Sequence, residues 1–138
     1  MIAAGARGDW LYCAKAMQFT RENARETHAI VECGEGKVRL PGRTIAGSVI
    51  VTRDTVLQDW RPPDVDELSI ADFDAVLALS PEVVLLGTGE RQRMPPAALY
   101  AAFAARGIGL EAMDNRAACR TYNVLLGEMR DVAVALIL

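Results

Sequence analysis

Short apolar runs alternate with amphipathic stretches along the second half of the chain. Val83 to Leu86 is a continuous apolar run, as expected of a strand covered on both faces. Pro95-Pro96 and Gly107 bracket the next segment, the usual order for the start and end of a helix. Ile108 to Met113 reads as another strand, and Asp114 or Asn115 can cap a third helix running to about Glu128. Val132 to Leu138 closes the chain as a buried strand. Upstream, Ser69 with Asp72 forms a capping box for a helix through Leu79, stopped by Pro81. Its Ile70, Phe73, Val76 and Leu77 share one face.

The preceding region is β-rich. His28 to Cys33 is a candidate strand, and Lys37 to Leu40 and Arg43 to Thr52 flank the turn dipeptide Pro41-Gly42, which predicts a hairpin. Ser48 to Val51 suits a buried position. Arg53-Asp54 offers a further turn before Val56 to Trp60, and Pro62-Pro63 ends this part. Residues 1–16 mix Gly, Ala and charge without periodicity and read as a disordered, frayed extension, with Met17 as an alternative start. The expectation is a single α/β domain over 17–138, with a mixed, partly parallel sheet flanked by helices.

Composition narrows this picture. A chain of 138 residues, 51% apolar, is long enough to bury one core. Its formal charge of −3 argues against bulk electrostatic binding to nucleic acid or anionic lipid. Cys13, Cys33 and Cys119 include no CxxC pair, which suits a reducing compartment better than a disulfide framework. His28 is the one histidine, so mechanisms that need two are excluded. No run approaches the ~20 apolar residues of a membrane span, and Arg7, Asp9 and Lys15 interrupt any apolar leader. A cytoplasmic protein is the expectation.

Candidate chemistry gathers at one edge. If the strands at 83–86 and 108–113 are parallel, their C-terminal ends bring two segments together, where open α/β sheets bind ligands. Gly87, Thr88, Gly89, Arg91 and Arg93 come from one segment, and Asp114, Asn115, Arg116 and Arg120 from the other. Glycines permit close approach, arginines supply forked donors, and a helix N-terminus at Asn115 adds partial positive charge. The dinucleotide fingerprint G-x-G-x-x-G is matched only at Gly87 and Gly89. Gln92 stands at the third position, and Met94-Pro95-Pro96 delays the helix. The plainer reading is a strand-ending turn with solvated arginines.

Cys119, flanked by Arg116 and Arg120, is either an activated nucleophile or a small core thiol, and the second is preferred because no base is near in sequence. Arg116, Arg120 and Asn123 share a helix face, either a binding stripe or the wet side. Tyr122, Leu125 and Met129 line the adjacent face, assigned to the core. Trp60 beside Arg61-Pro62-Pro63 is either an exposed anchor or a cap on its own core. No catalytic or metal-ligating constellation stands out, and no cofactor is implied.

The stretches VVLLGTGERQRMPPAAL and ARGIGLEAMDNRAACRTYNVLLGE resemble the Mth938-like domain family of unknown function. SVIVTRDTVLQDW and the helix around ADFDAV fit too, so the resemblance runs from about Met17 to Leu138. Gly87, Thr88, Gly89, Arg91 and Gln92 match one signature, and Asp114 with Ala118 to Asn123 match the other. Pro41-Gly42 replaces the Asn-Gly-type turn common in relatives. The resemblance implies three layers: a central mixed sheet, helices on both sides, and an additional N-terminal β-hairpin layer. It implies no established enzymatic activity. Relatives include a mitochondrial complex I assembly factor. The favoured expectation is therefore a non-enzymatic interaction or assembly-factor-like module, with a protein partner in respiratory or membrane-complex assembly by analogy. The alternative is a small-anion or nucleotide binder, or an enzyme, using the Gly87–Arg93 and Asp114–Arg120 edge. Apolar strands at the chain end leave a homodimer open.

Overall fold

The structure, a computed structural model, describes residues 28–138. The extension expected over 1–16 and the alternative start at Met17 lie outside these residues.

In chain order the strands are β1 (Glu32–Gly34), β2 (Lys37–Leu40), β3 (Arg43–Ala46), β4 (Val49–Thr52) and β5 (Val56–Leu57). Two 3₁₀ turns, Val65–Glu67 and Ile70–Phe73, lead into the short helix α1 (Asp74–Leu77). Then follow β6 (Val83–Gly87), α2 (Ala97–Ala105), β7 (Gly109–Met113), α3 (Asn115–Gly127) and β8 (Val132–Leu136). A five-stranded sheet has the order β5-β4-β8-β6-β7, and β1-β2-β3 form a separate antiparallel sheet. β6 runs parallel to both β7 and β8, whereas β4 is antiparallel to β8 and β5. The sheet is thus mixed and partly parallel, as expected.

Alternation along the inner strands builds two cores. Val132, Val134 and Leu136 join Val49, Val51 and Leu85 on one face, under Ala118, Cys119, Tyr122 and Leu126 of α3. Val38, Leu40 and Ile45 of the small sheet complete that cluster. Ala133 and Ala135 face the other way, with Ile50, Val84 and Leu86. Their small side chains share that core with Phe73 and Phe103, which meet edge to face with centroids 5.2 Å apart.

Several elements differ from the sequence expectation. Arg43 to Thr52 is not one strand. Gly47, with φ 96°, turns the chain from the small sheet into the large one, so β3 and β4 serve different sheets. The strand foreseen from His28 shrinks to Glu32–Gly34, although the Val31 N–H still donates to the Arg39 carbonyl at 2.8 Å. Asp72 accepts from the Ser69 N–H at 2.8 Å, as a capping-box acid does, but the helix it starts is 3₁₀ before becoming α. Val56 to Trp60 pairs only over two residues. Trp60 then turns inward, packing on Phe73 at 5.6 Å and donating to the Asp72 carbonyl at 2.9 Å, as a cap on its own core would. Met129 is 77% exposed at φ 62°, just past the end of α3, rather than in the core.

Asn123 is not simply on the wet side of α3. Its amide clamps the strand leading into β1, accepting from the Ile30 N–H at 2.9 Å and donating to the Ile30 carbonyl at 2.7 Å. Next to it, the Tyr122 hydroxyl donates to the His28 carbonyl at 2.9 Å. Asn123→Ala is expected to lower stability by about 2 kcal/mol, because two backbone groups lose their partners. Asn123→Asp, which keeps the acceptor and loses the donor, should fall between. Urea titration at unchanged m-value reads both, and a loss below about 0.5 kcal/mol would remove the clamp from the account.

Candidate functional site

The parallel pairing of β6 with β7 sets Gly87 opposite Met113, so the two segments following these strands do meet at one edge. What they form there is a closed loop. The Thr88 hydroxyl, 5% exposed, donates to the Arg91 carbonyl at 2.7 Å and accepts from the Arg93 N–H at 3.0 Å. The Thr88 N–H donates to the Met113 carbonyl at 2.9 Å, and the Gln92 amide to the Ala112 carbonyl at 3.0 Å. A threonine that makes an ST-type closure of this kind satisfies the loop backbone internally.

Asn115 ties this loop to the rest of the sheet. Its Oδ1 accepts from the Gly89 N–H at 3.1 Å, and its Nδ2 donates to the Ile137 carbonyl at 3.0 Å. Its own N–H donates to the Gly89 carbonyl at 2.8 Å. The Ile137 N–H in turn donates to the Gly87 carbonyl at 3.0 Å. The two glycines have separate reasons. Gly89 holds φ 104°, where a side chain is strained. Gly87 has no room for a Cβ, which would collide with Asn115 Oδ1 and lie 2.7 Å from Leu136 Cδ2. Asp114, not Asn115, caps α3, accepting from the Ala117 N–H at 2.9 Å.

The arginines separate. Both guanidinium nitrogens of Arg93 fork onto Asp64, at 3.1 and 3.2 Å, and Asp66 lies 3.4 Å away. The guanidinium beside it holds the Asp64 carboxyl below the usual carboxylate range. Arg91 is exposed. Gly89, Asp114, Asn115 and Arg116 instead line a cavity of about 250 Å³, facing Glu35 and Gly36 from the turn between β1 and β2. Arg116 brings the positive charge to this cavity, against Glu35, Glu90 and Asp114, a balance that opposes a bound anion. A second cavity, about 210 Å³, lies between β1 and α3, where Arg116 and Arg120 meet Cys33 and Cys119. Among the described residues no group of three or more His, Cys, Asp or Glu side chains is placed to hold a metal ion.

Sequence reasoning did not find Glu35, Gly36 or Cys33 in this region. Glu35 (φ 55°) and Gly36 (φ 74°) are two consecutive left-handed residues joining β1 to β2, the geometry of a tight hairpin. Gly36 between two apolar runs was the available signal. That the hairpin lies against α3 is a tertiary fact.

A family described as "Protein of unknown function (DUF498/DUF598)" matches residues 30–137. A Francisella tularensis subsp. holarctica protein named "13 kDa major membrane protein" is 36% identical over 74 residues, 54% of this chain and 60% of that protein's length. The zebrafish protein named "NADH dehydrogenase [ubiquinone] 1 alpha subcomplex assembly factor 3" is 35% identical over 135 residues, 96% of this chain and 77% of its own. The NMR structure of a Xanthomonas campestris protein superimposes with a TM-score of 0.72 at 46% identity, covering 79% of this chain and 83% of that one. A Bordetella pertussis protein described as a Mth938-like domain gives 0.68 at 25% identity, over 83% and 86%. The expected resemblance and its fold therefore hold. No helix among the described residues is long and apolar enough to cross a membrane.

Gly87→Ala and Asn115→Ala are each expected to destabilise by about 2 kcal/mol, the first by overpacking and the second by lost backbone partners. The double variant should lose less than the sum by at least roughly 0.5 kcal/mol, because truncating Asn115 removes one of the atoms the new methyl meets. Strict additivity in denaturant melts would show that Asn115 is not what restricts position 87 to glycine.

Proposed function

This chain belongs to the DUF498/DUF598 family of proteins of unknown function, and from that premise we propose that it is a non-enzymatic interaction module acting on a protein partner as an assembly factor does. Its zebrafish relative, similar over nearly the whole chain, carries the name of a NADH dehydrogenase assembly factor. The observation that carries the reading is Asn115. Its side chain engages the Gly89 N–H and the Ile137 carbonyl, backbone groups that a ligand at this edge would otherwise use. The protein has spent its strand-end edge on holding itself together.

The anion-binding alternative has less support. An anion in the neighbouring cavity would gain Arg116 but meet Glu35, Glu90 and Asp114. Arg93 is already paired with Asp64. For partner contact we favour the outer face of α3. Arg120 and Val124 stand there one turn apart, both exposed, and Arg120 makes no ion pair with another described residue. Val124 is 59% exposed. Exposed arginines with an apolar neighbour are common anchors of protein interfaces.

The test is capture of the tagged full chain from its native cells after mild cross-linking, with the bound proteins quantified by mass spectrometry. Subunits of the membrane-bound NADH dehydrogenase, or of another membrane complex, should be enriched. Arg120→Glu/Val124→Glu should reduce that enrichment at least about fivefold, the scale of losing one interface anchor. No enriched subunit, together with a thermal shift by phosphate or nucleotide that Arg116→Ala abolishes, would replace this reading with the anion site.

A further inference from the structure

Neither the strand-end edge nor the outer face of α3 makes use of two thiols that the fold brings together. Cys33 on β1 and Cys119 in the second turn of α3 are remote in sequence, yet both line the cavity of about 210 Å³ between those elements. Cys33 is half-buried and packs on the cluster that contains Cys119, itself only 5% exposed. The Arg116 guanidinium lies along the next residue, Gly34, where an added Cβ would sit 3.2 Å from its Nη2. Arg120 lines the same cavity.

The two sulfurs differ in environment. The neighbouring Cys119 thiol lowers the Cys33 pKa, and Arg116 lowers it further, against burial and the Asp114 charge. Cys119 is pushed up, by the neighbouring Cys33 thiol and then by burial. The accessible thiol beside a cation therefore ionises first, and the enclosed one keeps its proton. That is the division of labour between a nucleophilic and a resolving cysteine.

We propose that Cys33 and Cys119 form a redox-active dithiol, oxidised by hydrogen peroxide to a disulfide that ties the small sheet to α3. The Cys33 thiolate attacks one peroxide oxygen, the O–O bond breaks, and the departing oxygen leaves as water after taking a proton. Cys33 is then a sulfenic acid. The Cys119 sulfur attacks it, the S–S bond forms, the S–O bond breaks, and the hydroxyl leaves as a second water with the Cys119 proton. Two thiols lose two electrons in total, and the peroxide is reduced to water.

The experiment uses the full chain, reduced, freed of reductant and treated with one equivalent of hydrogen peroxide at neutral pH. It is then alkylated and peptide-mapped without reduction. The expected product is two hydrogens lighter and carries one cross-link, between the Cys33 and Cys119 peptides. Cys119→Ser should stop one oxygen heavier, as a species that dimedone traps, and Cys33→Ser should give neither product. The map of the unsubstituted chain decides the matter even where a variant folds poorly. A cross-link to Cys13 instead, over-oxidation of separate thiols, or two unreacted thiols would each overturn the proposal.

Discussion

Val132, Val134 and Leu136 project to one face of the five-stranded sheet and Ala133 and Ala135 to the other, none more than 2% exposed. This strand is hydrogen-bonded on both sides, antiparallel to β4 and parallel to β6, so its backbone is satisfied without water. The rest of the architecture follows from covering it. Its large side chains need α3 and the small sheet above them. Its alanines leave the volume that the aromatic pair Phe73 and Phe103 fills from below. Neither layer could shift by one residue along β8 without exchanging large for small across both cores.

From Val83 onward, the local pattern and the structure agree closely, because each segment there has one strong period and clear stop residues. The continuous apolar runs at β6 and β8, the Pro95-Pro96 entry to α2, Gly107 after it and the cap at Asp114 are all local signals. The first half was less legible because its elements are short. Pairing partners decide where such strands end, and neither the change of sheet at Gly47 nor the two-residue β5 leaves a period to read. The site was the least legible part. Gly87, Gly89 and Asn115 look like a ligand cradle in the sequence, but Asn115 makes contacts a ligand would make, and only the fold shows where its amide points. The meeting of Cys33 with Cys119 depends on packing of β1 against α3, which no local pattern encodes.

A glycine-containing strand end followed by a helix N-terminus is a favourable place for an anion in any parallel sheet. Here the same backbone donors are turned to internal use. The Thr88 hydroxyl holds the loop closed, Asp114 takes the Ala117 N–H in the first turn of α3, and Arg93 is drawn away to Asp64. A Gly-x-Gly pair in such a position is as well explained by a close crossing of two chain segments as by a bound phosphate. The discriminating feature is the side chain opposite the glycine.

α3 is fastened along its whole length. Asn115 and Asp114 secure its first turn, Tyr122 and Asn123 grip the strand entering the small sheet, and Arg53 donates to the Leu126 carbonyl at 3.0 Å near its end. All of these attachments use the inward and lateral faces. Val124, exposed on the outward side, takes no part in them, and mutation there comes at little cost to the scaffold. A substitution at such a position can change what that surface recognises while the fold stays as it is, so the two properties are set by separate residues.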